Sequence, residues 1–327
     1  MSFRLTYATM FNPPAEMHVQ FEAALARLEA MFGQRHPLWV DGKDRQPAGW
    51  ATKRSPIDTD VVLGEFPLAD AGDVDAAMRA AHAAYPAWRA LPVAERAALL
   101  RKAGDLMQQR VYDIAAALTL EVGKNRMEAL GEAQETVDFF HHYADDFEQH
   151  AGFDHPLPND PIDGVVSRNR SVMRPYGAWV VIAPFNFPFA LAGGPVAAAL
   201  VTGNTVVFKS ATDTPWSGRL LAEVLRDAGF PKGTFNYLSG AGREAGEALA
   251  KHSLTAGITF TGSVPVGRNL MQQMAGGAYP RPCIAEMGGK NAGIVTASAD
   301  LERAATGILR SSFGMGGTNC HLVLSDV

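Results

Sequence analysis

PYGAWVVIAPFNFPFALAGGPVAAALVTGNTVVFK, residues 175–209, carries no charged side chain until its last position, Lys209. A run of this length would suit a membrane span. Pro184, Pro188 and Pro195, the amides of Asn186 and Asn204, and several glycines argue against one. These breakers divide the run into an apolar strand at 179–183, a loop, a buried small-residue helix at 191–201, a Gly203-Asn204 turn and a strand at 205–209. A wholly apolar strand on each side of a helix is what a parallel sheet covered on both faces requires.

Downstream the same grammar repeats. Thr214-Pro215 reads as an N-cap followed by Pro at the first helical position, opening a helix that runs to Ala228 with Gly229 as its closing cap. Strands are expected at 235–238, 258–260, 283–286 and 293–295, and helices at 243–251, 264–274 and 301–312. Strand and helix in alternation predict an α/β protein with a doubly wound parallel sheet of the Rossmann type. In such a sheet ligands sit beyond the carboxyl ends of the strands, where Asn186, Lys209, Gly240, Gly262 and Glu286 all fall.

Upstream, Met17, Phe21, Leu25, Leu28 and Phe32 have helical spacing within 14–32. Leu38-Trp39-Val40 reads as a strand entering a tight turn at Asp41-Gly42. Residues 44–72, rich in Pro, Gly and Asp, read as irregular. Ala-rich helices are expected near 73–90, 93–110, 112–122 and 126–150. Pro156, Pro158 and Pro161 make 153–164 a loop, and 165–174 reads as a strand or half of a hairpin.

The chain of 327 residues is 47% hydrophobic and 19% charged, room for roughly two globular domains. At a net charge of −5, with basic residues scattered, nucleic acid is not an expected partner, and no membrane association is read. The first 17 residues show no signal peptide. Two cysteines, Cys283 and Cys320, make no disulfide framework and point to a reducing compartment, the cytoplasm. No Cys/His spacing suggests a metal, and adjacent His141 and His142 point different ways on a helix. Cys283, inside an apolar strand, reads as core.

Chemistry concentrates elsewhere. Cys320 follows the Gly-rich run Phe313-Gly314-Met315-Gly316-Gly317-Thr318-Asn319, and Glu286 precedes Met287-Gly288-Gly289-Lys290. A thiol that attacks a carbonyl and a carboxylate that activates water are what oxidation of an aldehyde through a thioester needs. Asn186 in Pro184-Phe185-Asn186-Phe187-Pro188 offers an amide to an oxyanion. Gly240-Ala241-Gly242-Arg243-Glu244-Ala245-Gly246 follows a strand and opens a helix, as a pyrophosphate loop does, although its spacing alone reads equally as a turn. Phe260-Thr261-Gly262-Ser263 repeats that geometry one unit later, and Lys209 at a strand end could bond a ribose hydroxyl.

Taken together these segments resemble the aldehyde dehydrogenase superfamily over nearly the whole chain. Glu286-Met287-Gly288-Gly289-Lys290 resembles its E-[LM]-G-G-K motif, and 313–320 is a near match to F-G-x-x-G-Q-x-C. Asn186 in P-F-N-F-P and the 260–263 loop fit as well. Residues 6–14, Glu121-Val122-Gly123-Lys124-Asn125-Arg126 and Arg281-Pro282-Cys283 are similar to the bacterial 1-pyrroline-5-carboxylate (glutamate-γ-semialdehyde) dehydrogenases. The resemblance implies Cys320 as nucleophile, Asn186 as oxyanion donor and Glu286 as the base for water. It implies NAD, with NADP possible, held by Lys209, Ile182, Pro184, Phe185, Thr212, Gly242, Gly246, Phe260, Gly262, Ser263, Met287 and Gly288. It further implies a cofactor domain over 1–287, with 153–174 as part of an oligomerisation element, and the start of a catalytic domain over 288–327.

Three positions depart from the pattern. Ser210 replaces the usual Pro, Thr212 replaces the Glu of NAD-strict members, and Thr318 replaces Gln. A neutral Thr212 removes a carboxylate that would repel a 2′-phosphate. The segment after Cys320 does not continue the family pattern, so a C-terminally truncated chain is expected, impaired in forming the family's homo-oligomer. The rival expectation is a dinucleotide-binding fragment or pseudoenzyme that performs no chemistry.

Overall fold

Two positive φ angles in succession, 54° at Asp41 and 73° at Gly42, make the tight turn that the Asp-Gly pair announces. The turn folds β1 (Leu38–Val40) against β2 (Lys43–Arg45), after α1 (Ala15–Glu29). The computed structural model describes residues 13–289, 291–313 and 320–322.

In place of the irregular stretch expected over 44–72, β3 (Gly49–Arg54) and β4 (Val62–Leu68) pair antiparallel. β4 is the more buried of the two strands, and Pro56, Asp58 and Asp60 lie in the connection between them. Then come α2 (Ala71–Ala90), α3 (Val93–Gln109), α4 (Val111–Val122) and α5 (Arg126–Gln149). Asp70 and Asp73 form a reciprocal capping box that starts α2 earlier than the sequence suggests. β5 (Asp154–Pro156) and β6 (Arg170–Val172) form a small antiparallel pair, so the proline-rich loop carries a strand as well.

The apolar run becomes β7 (Ala178–Ile182), α6 (Ala190–Val201) and β8 (Thr205–Lys209). It is followed by α7 (Pro215–Ala228), β9 (Phe235–Leu238), α8 (Glu247–Lys251), β10 (Thr255–Thr261), α9 (Val264–Ala275) and β11 (Cys283–Glu286). β12 (Asn291–Gly293), α10 (Leu301–Phe313) and β13 (Cys320–Leu322) complete the described chain. β12 thus begins before the strand expected at 293–295. A π-helical turn at Gly242–Gly246 precedes the short α8, where one helix was expected over 243–251.

The main sheet has seven strands in the order β11-β10-β7-β8-β9-β1-β2. The five from β11 to β9 are parallel, and β1 and β2 extend the sheet antiparallel. β9-β8-β7-β10-β11 is the Rossmann order, with the chain reversing direction across the sheet between β7 and β10. Side chains alternate as a strand requires: Trp179 and Val181 pack with Val206 and Phe208 in a core shared with α3 to α7. Ala178, Val180, Val207, Ile258 and Phe260 face a second core built with α2, α8 and α9. β11 pairs only with β10 among the described strands, and Cys283 is half-buried there rather than a full core residue. No described helix is long and apolar enough to cross a membrane.

α7 corrects a local expectation. Thr214 occupies the N-cap position but its side chain makes no cap. Glu121 caps the helix instead, accepting from Trp216 N at 2.6 Å and Ser217 N at 2.8 Å, and from the Ser217 hydroxyl.

Candidate active-site cleft

The reversal between β7 and β10 opens a crevice at the carboxyl ends of the parallel strands, where neighbouring connections leave in opposite directions. A cleft of about 1170 Å³ lies there. Ile182, Pro184, Phe185 and Asn186 reach it from the end of β7, and Lys209 and Thr212 from β8. Gly242 and Gly246 enter from the turn after β9, Phe260, Gly262 and Ser263 from β10, and Glu286, Met287 and Gly288 from β11. Every sequence-expected site residue except Cys320 therefore lines one cavity.

Cys320 opens β13, which pairs in parallel with β12 so that Cys320 stands opposite Asn291. Its backbone is thus tied to the strand that begins just beyond Glu286. The Cys320 side chain, Lys290, residues 314–319 and the N-terminal segment 1–12 lie outside the described residues.

Lys209 is almost entirely buried at 3% exposure, and its ammonium donates to Ser210 O at 2.9 Å. Burial pushes its pKa down to about 8, a drop that Asp213 partly opposes. The side chain therefore keeps its charge at neutral pH while facing a cavity that a ligand can enter. Thr212 Oγ1 donates to Gly240 O at 3.2 Å, tying the end of β8 to the turn after β9. Gly262 N donates to Glu286 O at 3.0 Å, holding the β10 and β11 exits side by side. Ser263 precedes α9 without a side-chain cap, which leaves donors of the first turn available to a ligand.

Several lining residues escaped the sequence reading: Asp213, Arg243, Glu247, Val266, Asn269 and Gln273. The last three lie on one face of α9, at spacings that a helical wheel from Ser263 would have brought together. A buried ammonium, apolar walls and an uncapped helix start in one crevice fit a dinucleotide.

The chain combines a dinucleotide-type doubly wound sheet with a carboxylate and a carboxamide at its ligand crevice. Residues 39–323 match the aldehyde dehydrogenase family, and the chain belongs to it. Within that family it is 37% identical over 316 residues to the 1-pyrroline-5-carboxylate dehydrogenase of Geobacillus thermodenitrificans (strain NG80-2), 94% of this chain and 60% of that protein. It is 36% identical over 304 residues to 1-pyrroline-5-carboxylate dehydrogenase 2 of Bacillus subtilis (strain 168), 92% of this chain and 58% of that one. The chain thus spans about three fifths of the curated relatives it matches. Among solved structures, 1-pyrroline-5-carboxylate dehydrogenase from Thermus with bound NAD superposes with a TM-score of 0.89 at 31% identity, over 99% of this chain and 64% of that one. Proline utilization A from Bdellovibrio bacteriovorus gives 0.86 at 35% identity, over 92% of this chain and 31% of that one.

Proposed function

We propose that the protein oxidises an aldehyde to a carboxylic acid with NAD(P), and that the aldehyde is glutamate γ-semialdehyde, the open form of 1-pyrroline-5-carboxylate. The observation that carries this reading is the gathering of Asn186, Glu286 and twelve further expected residues around a single cleft. The names of the relatives supply the substrate.

In this reading the Cys320 thiolate adds to the aldehyde carbon, and the Asn186 carboxamide donates to the oxygen as charge develops on it. A nicotinamide held in the cleft would supply the hydride acceptor, and loss of the hydride from that carbon would leave a thioester on Cys320. Glu286 takes a proton from water, which attacks the thioester and releases the acid and the thiolate. Glu286 is exposed to the cleft, where water reaches it. Lys209 and Thr212 hold the ribose end, and Gly242, Gly246, Gly262 and Ser263 let backbone approach the phosphates. Ile182, Pro184, Phe185, Phe260, Met287 and Gly288 form the walls. A neutral Thr212 admits NADP as well as NAD. The cofactor domain ends at 287 in this reading, since β11 closes the parallel sheet and β12 pairs with β13 apart from it. A thiol nucleophile suits a reducing compartment such as the cytoplasm.

Thiol labelling tests this against the rival of a dinucleotide-binding protein without chemistry. Burial pushes the Cys283 thiol up, so it serves as a slow internal standard. Cys320 is expected to label faster than Cys283 and to be protected by the aldehyde. Equal, slow labelling of both, or no protection, would overturn the reading.

A further inference from the structure

Lys124, in the connection between α4 and α5, and Glu132, within α5, bring two buried groups to the loop that carries Asn186. Lys124 and Glu132 have no solvent-exposed side-chain surface, and Lys124 Nζ stands 2.5 Å from Glu132 Oε2. The other carboxylate oxygen of Glu132 accepts from Phe189 N at 2.8 Å and Ala190 N at 3.1 Å, capping α6, which has no side-chain cap of its own. The Lys124 ammonium also lies 3.3 Å from the centre of the Phe187 ring. Burial lowers the Lys124 pKa and raises that of Glu132, and the attraction between the two opposes both shifts.

These contacts seize residues 187, 189 and 190, immediately after Asn186. Pro184 and Pro188 have no N–H to give, so this loop has fewer backbone donors with which to fix itself. An isolated buried ion pair is a poor source of stability, because an apolar pair of the same volume often serves as well. What the pair provides that an apolar pair would not is direction: a carboxylate aimed at two backbone N–H groups and an ammonium aimed at a ring face.

We propose that Lys124 and Glu132 are positioning residues, a buried clamp that holds the Pro184–Pro188 loop so that Asn186 faces the cleft. The consequence for turnover rests on the proposed aldehyde oxidation; the clamp itself does not.

The test is the double replacement Lys124→Met with Glu132→Gln, which removes both charges together and strands neither. Amide hydrogen exchange is read at the non-proline positions from 185 to 190 and in α3 and α4, beside the dissociation constant for NAD, kcat and KM. Loop exchange is expected to rise at least about tenfold while α3 and α4 keep wild-type protection. NAD affinity is expected to stay within about twofold, and kcat to fall about 100-fold with KM little changed, as for a misplaced catalytic group. Wild-type loop exchange in the variant would overturn the proposal. So would a uniform rise in exchange across the chain with a parallel loss of NAD binding, the mark of a merely structural pair. If the double variant fails to fold, Phe187→Leu removes only the ring over the ammonium. It must raise exchange at 185–187, and unchanged exchange there refutes the clamp. A wild-type chain that binds NAD and turns nothing over would defeat the functional reading and leave the exchange result to decide the clamp.

Discussion

Lys209 is the residue at which burial and ligand chemistry meet most directly. Its folded-state pKa of about 8 lies below the unfolded value near 10.5. A depressed ammonium costs stability while it is charged in the fold, so the cost is present below about pH 8 and is relieved as pH rises from there toward 10.5. Ligand binding runs the other way, because the donor is fully charged only below that value. NAD affinity is therefore expected to weaken as pH rises through about 8, and Lys209→Met should be about tenfold weaker at neutral pH with a flat profile. Titration of NAD affinity against pH in both proteins checks this, and a pH-independent wild type would refute it. Lys209 was legible in the sequence because it ends an apolar strand, where a charge has no packing reason to be. Asn269 and Gln273 were not, because polar residues on a helix look solvated until the sheet beside them is known.

At the scale of the element, α7 shows how a helix depends on a residue far away in sequence. Glu121 is wholly buried beneath the helix start, and burial raises its pKa to about 7 despite the three donors that favour the carboxylate. A raised carboxyl binds a proton in the fold that the unfolded chain has already lost, so stability falls as pH rises from about 4.5 to 7. The loss over that window is roughly 3 kcal/mol. Urea unfolding across this range should show Glu121→Gln with a shallower decline than wild type; equal slopes would contradict the account. Packing on the other side of α7 is equally tight. A Cβ at Gly218 would stand 2.7 Å from Tyr237 Cε2 and 2.8 Å from Ser210 Cβ. Gly218→Ala is thus expected to destabilise by about 2 kcal/mol in the same assay, despite alanine's better helix propensity. Thr214-Pro215 placed the start of α7 correctly from sequence but named the wrong cap, since local spacing cannot show a carboxylate arriving from α4. The β3–β4 hairpin was missed for a related reason: its connection is too long for a two-residue turn signal and is rich in breakers. The π-turn at 242–246 was hidden because Gly and Ala carry almost no periodic pattern.

At the scale of the molecule, the parallel sheet was the most legible feature, because strands buried on both faces leave charge-free runs punctuated by Gly and Pro. The alternation predicts a doubly wound sheet, the structure supplies its strand order, and the crevice follows from the point where that order reverses. The residues of the cleft come from five strand ends that are far apart in sequence, so their convergence is a property of the sheet and not of any one motif. The central claim is that this cleft serves Cys320-dependent oxidation of an aldehyde. Formation of NADH from NAD and 1-pyrroline-5-carboxylate, measured for the wild-type chain beside Cys320→Ala, tests it most directly. The account predicts NADH from the wild type and none from Cys320→Ala, with both proteins binding NAD. NADH at the same rate from both, or none from a wild type that binds NAD, would contradict it.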